Sequence, residues 1–574
     1  MNIMDEPISD ALEKYGATGE AEIWRIHADH IRAVSEQGGR GKGFKQVRFH
    51  PLLIDWSMAF LAKTSASVYN EVAKVMMLPN ISYVYKKTAE AISTKKDKAG
   101  ALHMNTIHSI GERATKEKWT SLQRTGVIAQ DSANIKSGIE HDYTSNKFVG
   151  GDETHSVVTL SRMFQALAQE VQAEKNNVLD DDEDAAISST SSIPQNAILD
   201  NLPLAEEHLV FKFSSLDATI KCNEIVASVN VSKVTPEIIT SIMISLREIL
   251  GMACLAIGFA TSDAAGCNWV SFRETLATST FREALPREIL DKYPSIDFDV
   301  KCLMRDPVTM QWIMFVADMP HLTKNIVTCL ENSSSKTSKR YLKFGKAPVT
   351  LKMIEEIWRK CDGGSGQFHP TKLSLKHFDK DAYSRMNVAL ATQVLSASVA
   401  EMIRDAINDD DIVLSFHNKG IYNHTADFCA RWNDVVDICN GRGGPHSPEK
   451  ARQRQTTLLE ILAWLSRWKK LHDERVANET WFCMNSLILC HITAIQIYCI
   501  EQGETIYPRT MNTDTVEWHF GDARQTVGGS TNKLTTAAHD RADKKASMFR
   551  SAQHALKGNN QTGDDVVFGR KKRY

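Results

Sequence analysis

Apolar positions along this chain change their spacing more than once, and the changes divide it. Over 49–92 they recur at helical intervals, with Leu53, Ile54, Met58 and Leu61 followed by Val68, Val72 and Val75, until Leu78-Pro79-Asn80 breaks the run. That spacing predicts a small helical unit within 45–120. The polar residues of 1–44, closing on Gly38, Gly39, Gly41 and Gly43, read as a flexible arm and linker.

Short apolar runs follow. Gly126-Val-Ile-Ala-Gln-Asp131 ends in a carboxylate, and Ile135, Ile139 and the turn-rich Tyr143-Thr-Ser-Asn-Lys147 complete a strand and hairpin. His208-Leu-Val-Phe-Lys-Phe213 reads as a strand, and 238–250 as a helix on Ile239, Ile242, Leu246, Ile249 and Leu250. Cys254-Leu-Ala-Ile-Gly-Phe-Ala-Thr-Ser-Asp263 is a second strand ending in a carboxylate. Trp312-Ile-Met-Phe-Val-Ala317 is a third, ending at Asp318 and followed by Pro320 and His321. This alternation predicts an α/β unit over 121–340, with its chemistry at the strand ends. It is interrupted at 174–201 by an acidic, serine-rich segment, Asp180-Asp-Asp-Glu-Asp184 and Ser188-Ser-Thr-Ser-Ser192, too polar to bury a core and expected to be a disordered loop. Beyond about residue 341 no strand is expected. Helical spacing appears at 354–358, 388–407, 428–438 and 458–500, the last interrupted by the polar stretch 469–479. The expected fold class is α/β plus all-α: an α/β core interrupted by a large helical insertion over 341–505 and resumed by 506–574.

Composition narrows the class without naming it. A chain of 574 residues exceeds a single core, and 42% hydrophobic with 24% charged residues excludes wholesale disorder, collagen and disulfide scaffolds. Lys and Arg number 68 against 70 Asp and Glu, a net charge of -2, so any nucleic-acid-binding face has to be local. The 11 cysteines fall singly, without Cys-x-x-Cys or Cys-x-x-His, so free and mostly buried thiols are expected rather than a zinc finger. With no stretch of about 18 apolar residues read and no basic-then-apolar start, a soluble intracellular protein without membrane contact is expected. Lys86, Lys87, Lys95, Lys96, Lys98, Arg113, Lys116 and Lys118 suit either a solvated helix face or phosphate contact. The last 34 residues carry nine Lys or Arg against three Asp and finish Gly569-Arg-Lys-Lys-Arg-Tyr574, which suits nuclear targeting, DNA contact or a solvated tail.

Metal-dependent chemistry on phosphodiesters commonly draws its carboxylates from distant parts of a chain. Asp131, Asp263 and Glu517 are the candidates, Glu517 lying in Asn512-Thr-Asp-Thr-Val-Glu-Trp-His-Phe-Gly-Asp-Ala-Arg524, a helix start with Asn512 or Thr513 as N-cap. Among 70 acidic residues that choice is unspecific by composition alone. The surrounding sequences say more. Gly126-Val-Ile-Ala-Gln-Asp-Ser-Ala-Asn-Ile-Lys-Ser-Gly-Ile139, followed by Phe148-Val-Gly150, resembles the first catalytic strand and hairpin of P-element-type transposases, the superfamily that includes THAP-domain transposases. Thr261-Ser-Asp-Ala-Ala-Gly-Cys-Asn268 is similar to that family's second-Asp segment. Val316-Ala-Asp-Met-Pro-His-Leu-Thr-Lys-Asn325 resembles its Asp-x-Pro-His-Leu-x-Lys-Asn stretch, and the 512–524 sequence resembles the helix bearing its last Glu. Order and spacing agree over 45–540. The resemblance implies a ribonuclease-H-like catalytic core, with Asp131, Asp263 and Glu517 binding two Mg²⁺ ions, or Mn²⁺ in their place. Its activity would be cut-and-paste cleavage and strand transfer of transposon ends.

A guanine-nucleotide-binding insertion is implied as well. Lys372-Leu-Ser-Leu-Lys-His-Phe378, Arg385-Met-Asn-Val-Ala-Leu-Ala-Thr-Gln-Val-Leu-Ser396 and Phe428-Cys-Ala-Arg-Trp-Asn-Asp-Val-Val-Asp-Ile-Cys-Asn440 resemble its segments. Lys372, Ser396, Asp437 and Asn440, with Asp514, become candidate contacts to GTP. An Asp accepting from the guanine N1 and N2 donors is sound chemistry, and helix capping or packing is the competing reading of each residue. No G-x-x-x-x-G-K-[ST] loop is present, so a conventional GTPase is not expected. The chain departs from the family pattern twice. Ser132-Ala133 follow the first Asp where Glu-Met is usual, and no Cys-Cys-Cys-His zinc module precedes the core. End recognition would fall to a partner or to 45–92, which resembles the family's helix-turn-helix segment. His321 reads as phosphate-orienting or structural, and Trp518 as core or base-stacking. Expected partners are double-stranded DNA, as transposon ends and target, and further copies of the chain in a homodimer or higher oligomer, with the nucleus as location. The alternative is a domesticated transposase-derived protein that binds DNA without cutting it.

Overall fold

The computed structural model describes residues 66–76, 78–84, 98–99, 101–137, 140–142, 147–149, 151–154, 204–263, 266–333, 342–344, 347–362, 371–381, 387–410, 412–415, 419–471, 478–526 and 534–535, with a few isolated residues besides. The expectations for the arm at 1–44, the acidic loop at 174–201 and the basic tail fall outside these residues, as do Lys86, Lys87, Lys95 and Lys96.

Six strands make the middle of the main sheet: β1 Thr125–Lys136, β2 Glu207–Ser215, β3 Asn223–Val231, β4 Ala256–Ser262, β5 Lys301–Arg305 and β6 Trp312–Ala317. Their order in space is β3-β2-β1-β4-β6-β5. Among the first three each runs antiparallel to its neighbour, whereas β4 and β6 lie parallel to β1 and β5 returns antiparallel. Every residue of β4 is buried, as befits parallel strands covered on both faces. Asp131 falls in mid-strand rather than at a strand end, because β1 runs on to Lys136 beside β2 after its pairing with β4 stops at Ala129. The hairpin expected after it is present as Glu140–Asp142 paired with Lys147–Val149.

Outside the sheet the first helices are α1 Ala66–Val75, α2 Met104–Lys116, α3 Pro236–Met252 and α4 Met319–Asn332. Helix α3 starts where Thr235 accepts from the Ile238 amide and Pro236 needs no amide partner. Around α1, Leu53, Tyr69, Ala73, Leu78 and Val84 form a small core of their own. The Tyr69 hydroxyl donates to the Pro79 carbonyl at 2.8 Å, and Asn80 caps the next turn by accepting from Tyr83 N.

The helical insertion comprises α5 Leu351–Asp362, α6 Val388–Val394, α7 Ala397–Asn408, α8 Gly420–Cys439, α9 Pro448–Leu471 and α10 Asn478–Ala494, the last running on as a π-helical turn Ile495–Glu501. Helix α11, Asp514–Thr526, then returns to the sheet. Strands do not stop at residue 341: Leu342–Phe344 pairs with Ala347–Val349 before α5 begins. The continuous helix expected over 388–407 is two, because Leu395 leaves helical geometry and Ser396 caps a new start. A helical run over Glu479–Glu501 is also long and apolar enough to cross a membrane, contrary to the sequence expectation. It is mostly buried, and its Cys490 thiol meets the Phe315 carbonyl of β6 at 3.5 Å. Sheet and insertion share one continuous core, and the Trp432 indole of α8 donates to Thr323 of α4.

Candidate active site

The register of three parallel strands sets out the acidic residues. Ala129 of β1 pairs with Thr261 of β4, so Asp131 and Asp263, each two residues further on, share one face of the sheet at the same end. Ala317 of β6 pairs with Ser262, and the Asp318 amide donates to the Ser262 carbonyl at 2.8 Å, which places a third Asp beside the first two. Burial pushes the Asp131 carboxyl up to about 7, the Asp263 charge adds to this, and Glu517 adds a smaller share against the Ser132 amide and His321. Asp263 is oriented by the Asn268 amide, and Asn268 itself accepts from buried Gln130 of β1 at 3.0 Å.

Glu517 arrives from the far side of the insertion. Helix α11 lies on the sheet because Val516 and Phe520, one turn apart, pack against Ala129 and Ala133 of β1 and Val210 of β2. Small alanines in the strand let the helix approach closely, and Glu517, next to Val516, is carried to the acidic end. Its carboxyl is raised by burial, lowered by His321, and raised again by Asp318 and Asp514. Asp318 is completely buried. One of its oxygens accepts from the His321 amide at 3.0 Å and the His321 Nδ1–H at 2.8 Å, and the other accepts from the Thr513 amide at 2.8 Å. Burial opposes the Asp318 charge, but these donors overcome it and hold the carboxyl below its ordinary range. Burial likewise pulls the His321 imidazole down, and Asp318 more than restores it. His321 Nδ1 also stands 3.6 Å from Glu517 Oε1.

Among the described residues no group of three or more His, Cys, Asp or Glu side chains is drawn closely enough together to hold a metal ion. The donor chemistry nevertheless fits a hard divalent cation: Asp131, Asp263 and Glu517 offer carboxylate oxygens whose mutual repulsion raises Asp131, and added positive charge would relieve it.

The candidate guanine contacts divide into two sets. Asp437, near the end of α8, accepts from Asn433 at 2.9 Å, and Asn440 just beyond that helix lies 3.5 Å from the Asn512 amide group. Asp514, raised by burial and by Asp318, pairs with Arg509 at 3.6 Å. Asn440 and Asp514 thus meet through Asn512, whose Oδ1 accepts from the Asp514 amide. The loop after α8 runs alongside, with His446 and Ile506 exchanging backbone hydrogen bonds and Gly441 in the left-handed region. Buried Arg454 closes that loop by donating to the carbonyls of Gly443, Gly444 and Pro445 and to His446 Nδ1. Ser396 uses its hydroxyl as the cap of α7, and Lys372 is exposed ahead of the turn Leu375–His377. Neither bonds to Asp437, Asn440 or Asp514.

Residues 321–451 match a family described as a TNP-like, GTP-binding insertion domain. The solved Drosophila P element transposase strand transfer complex is similar to 94% of this chain and 99% of its own, with a TM-score of 0.63 at 15% sequence identity. The fold is that of a P-element-like transposase. No curated protein sequence matches significantly. Within this P-element-like fold, sequence reasoning missed Asp318 as a structural acid, although its place after an apolar strand and three residues before His321 was a capping signal. It also missed Gln130 and Arg454. Trp518, read as a core residue or a base-stacking one, is exposed beside Glu517 and so is not part of the core.

Proposed function

We propose that this protein is a DNA transposase that cleaves transposon ends and joins them to target DNA on a ribonuclease-H-like core, with Asp131, Asp263 and Glu517 holding two divalent ions. The observation that carries the reading is electrostatic. Burial, with the charge of Asp263 and a smaller share from Glu517 across the insertion, lifts Asp131 to about 7. Carboxylates kept in mutual repulsion, partly out of water, are arranged for a ligand of opposite charge. Bound Mg²⁺ or Mn²⁺ would supply charge neutralisation at the scissile phosphate and activate the attacking oxygen. The chain's own part is positional: Asn268 orients Asp263, α11 carries Glu517, and Asp131 has to release its proton. Double-stranded DNA as substrate, a dimer or larger assembly to bridge two ends, and a nuclear location belong to the same reading. The match of 321–451 supports GTP as a ligand of the insertion, with Asp437, Asn440 and Asp514 at its contact end.

Nicking of supercoiled plasmid in Mg²⁺ or Mn²⁺ tests this. The wild type is expected to nick, and Asp263→Ala and Glu517→Ala to lose at least about a thousandfold in rate, as removal of a metal-holding carboxylate does. A second reading, a transposase-derived DNA-binding protein without nuclease activity, is favoured by the finding that among the described residues no three His, Cys, Asp or Glu side chains are grouped to hold a metal ion. Equal DNA binding by all three proteins, with no cutting even of native transposon ends, would select it.

A further inference from the structure

We infer that Asp318 is a positioning residue, fixing where the helix that bears Glu517 begins and so where that carboxylate stands. The argument starts from cost. A carboxylate removed from water is tolerated only when hydrogen bonds replace its hydration, and Asp318 is wholly buried. Capping α4 would need one oxygen, which Ser, Thr or Asn could supply at the same place. The second oxygen accepts from the Thr513 amide, 195 residues further along the chain. The carbonyl of Thr513 then accepts from the amides of Val516 and of Glu517 itself. Asp318 therefore grips one end of a residue whose other end is bonded to Glu517. It reaches the same carboxylate a second way, since the His321 Nδ1–H that it holds stands 3.6 Å from Glu517 Oε1. And because β6 is in register with β4, Asp318 is anchored beside Asp263. One side chain thus ties the second acidic strand end to the helix of the third acid, across the whole insertion. That this placement serves metal binding rests on the function proposed above.

The test separates the two arms. Thr513→Pro deletes the amide that Asp318 accepts while leaving Asp318 and α4 intact, and Asn512, at φ -115° and ψ 175°, already has the extended backbone a residue before proline requires. Asp318→Ala removes both arms. Hydrogen exchange of peptides covering α4 and α11, and Mn²⁺ binding followed by its paramagnetic resonance, are measured on the full-length protein. Both substitutions are expected to speed exchange in the first turn of α11 by about tenfold or more, the scale of one lost buried hydrogen bond, and to weaken Mn²⁺ binding by about tenfold. Asp318→Ala alone should also speed exchange in α4. Unchanged exchange in α11 for both proteins overturns the assignment and leaves Asp318 as a cap of α4. Faster exchange with unaltered Mn²⁺ affinity also overturns it, because Glu517 would then be placed by something else. Faster exchange in a protein whose wild type neither takes up Mn²⁺ nor nicks DNA supports the positioning role and removes the nuclease reading instead.

Discussion

At the scale of single residues the acidic end of the sheet is under electrostatic load, and the load has a sign. An unfolded chain releases the Asp131 proton near pH 4, whereas the folded one keeps it to about 7. Between those values the folded state binds the extra proton, so this group favours folding least at high pH: stability falls as pH rises from about 4 to about 7 and stays low above. Asp131→Asn should remove that slope and raise metal-free stability at about pH 8 by roughly 2–4 kcal/mol, seen in thermal melts across the range. A variant melting at or below the wild type at that pH contradicts the account. Asp318 works in the opposite sense. Held below the ordinary carboxylate range, it contributes stability above that range and loses it as acid protonates it. All three members of the candidate triad could be named from sequence, because each lies in a local stretch with its own pattern. Asp318 could not be assigned its role that way, since its partner at Thr513 is brought to it only by the tertiary fold.

Elements behave more simply, and what the sequence missed in them has local causes. The helix expected over 388–407 breaks at Ser396 because a serine that caps the next turn competes with continuing the first, and apolar spacing does not register caps. Strand β1 outruns its apolar stretch because its last residues are held by β2 and by Leu534–Thr535, not by burial alone. The seat of α11 is likewise a packing fact. Phe520→Ala should cost about 3–5 kcal/mol and loosen Glu517, measured by chemical denaturation alongside Mn²⁺ uptake. Arg454 offers a comparable test. Its guanidinium is buried among backbone carbonyls and His446, so Arg454→Ala leaves those acceptors unmet and should cost about 3–5 kcal/mol, whereas Arg454→Lys should recover part of it. A loss within about 0.5 kcal/mol in denaturant titrations would mean that the loop closes by other means.

Taken as a whole, the molecule joins its insertion to the sheet through one core, so ligands of the insertion should be felt throughout. GTP at about a hundred times its dissociation constant is expected to stabilise the wild type by roughly 2.7 kcal/mol, and Asp437→Ala to show little of this, as read from melting temperatures with and without nucleotide. Equal shifts in the two proteins would move the nucleotide away from α8. The split of the sheet from its last helix also has an order in time. Chains fold as they leave the ribosome, early segments first. Strands β1 to β6, with Asp131 and Asp263, can assemble while the insertion is still being translated, but α11 is not yet made and the face of Ala129 and Val210 stands uncovered. The third acid is therefore delivered last, after the whole insertion has been threaded through the tunnel and packed. A nascent or truncated polypeptide ending between the sheet and Glu517 holds two of the three acids and a naked hydrophobic patch, so emergence of α11 is the step that both covers the sheet and completes the acidic set.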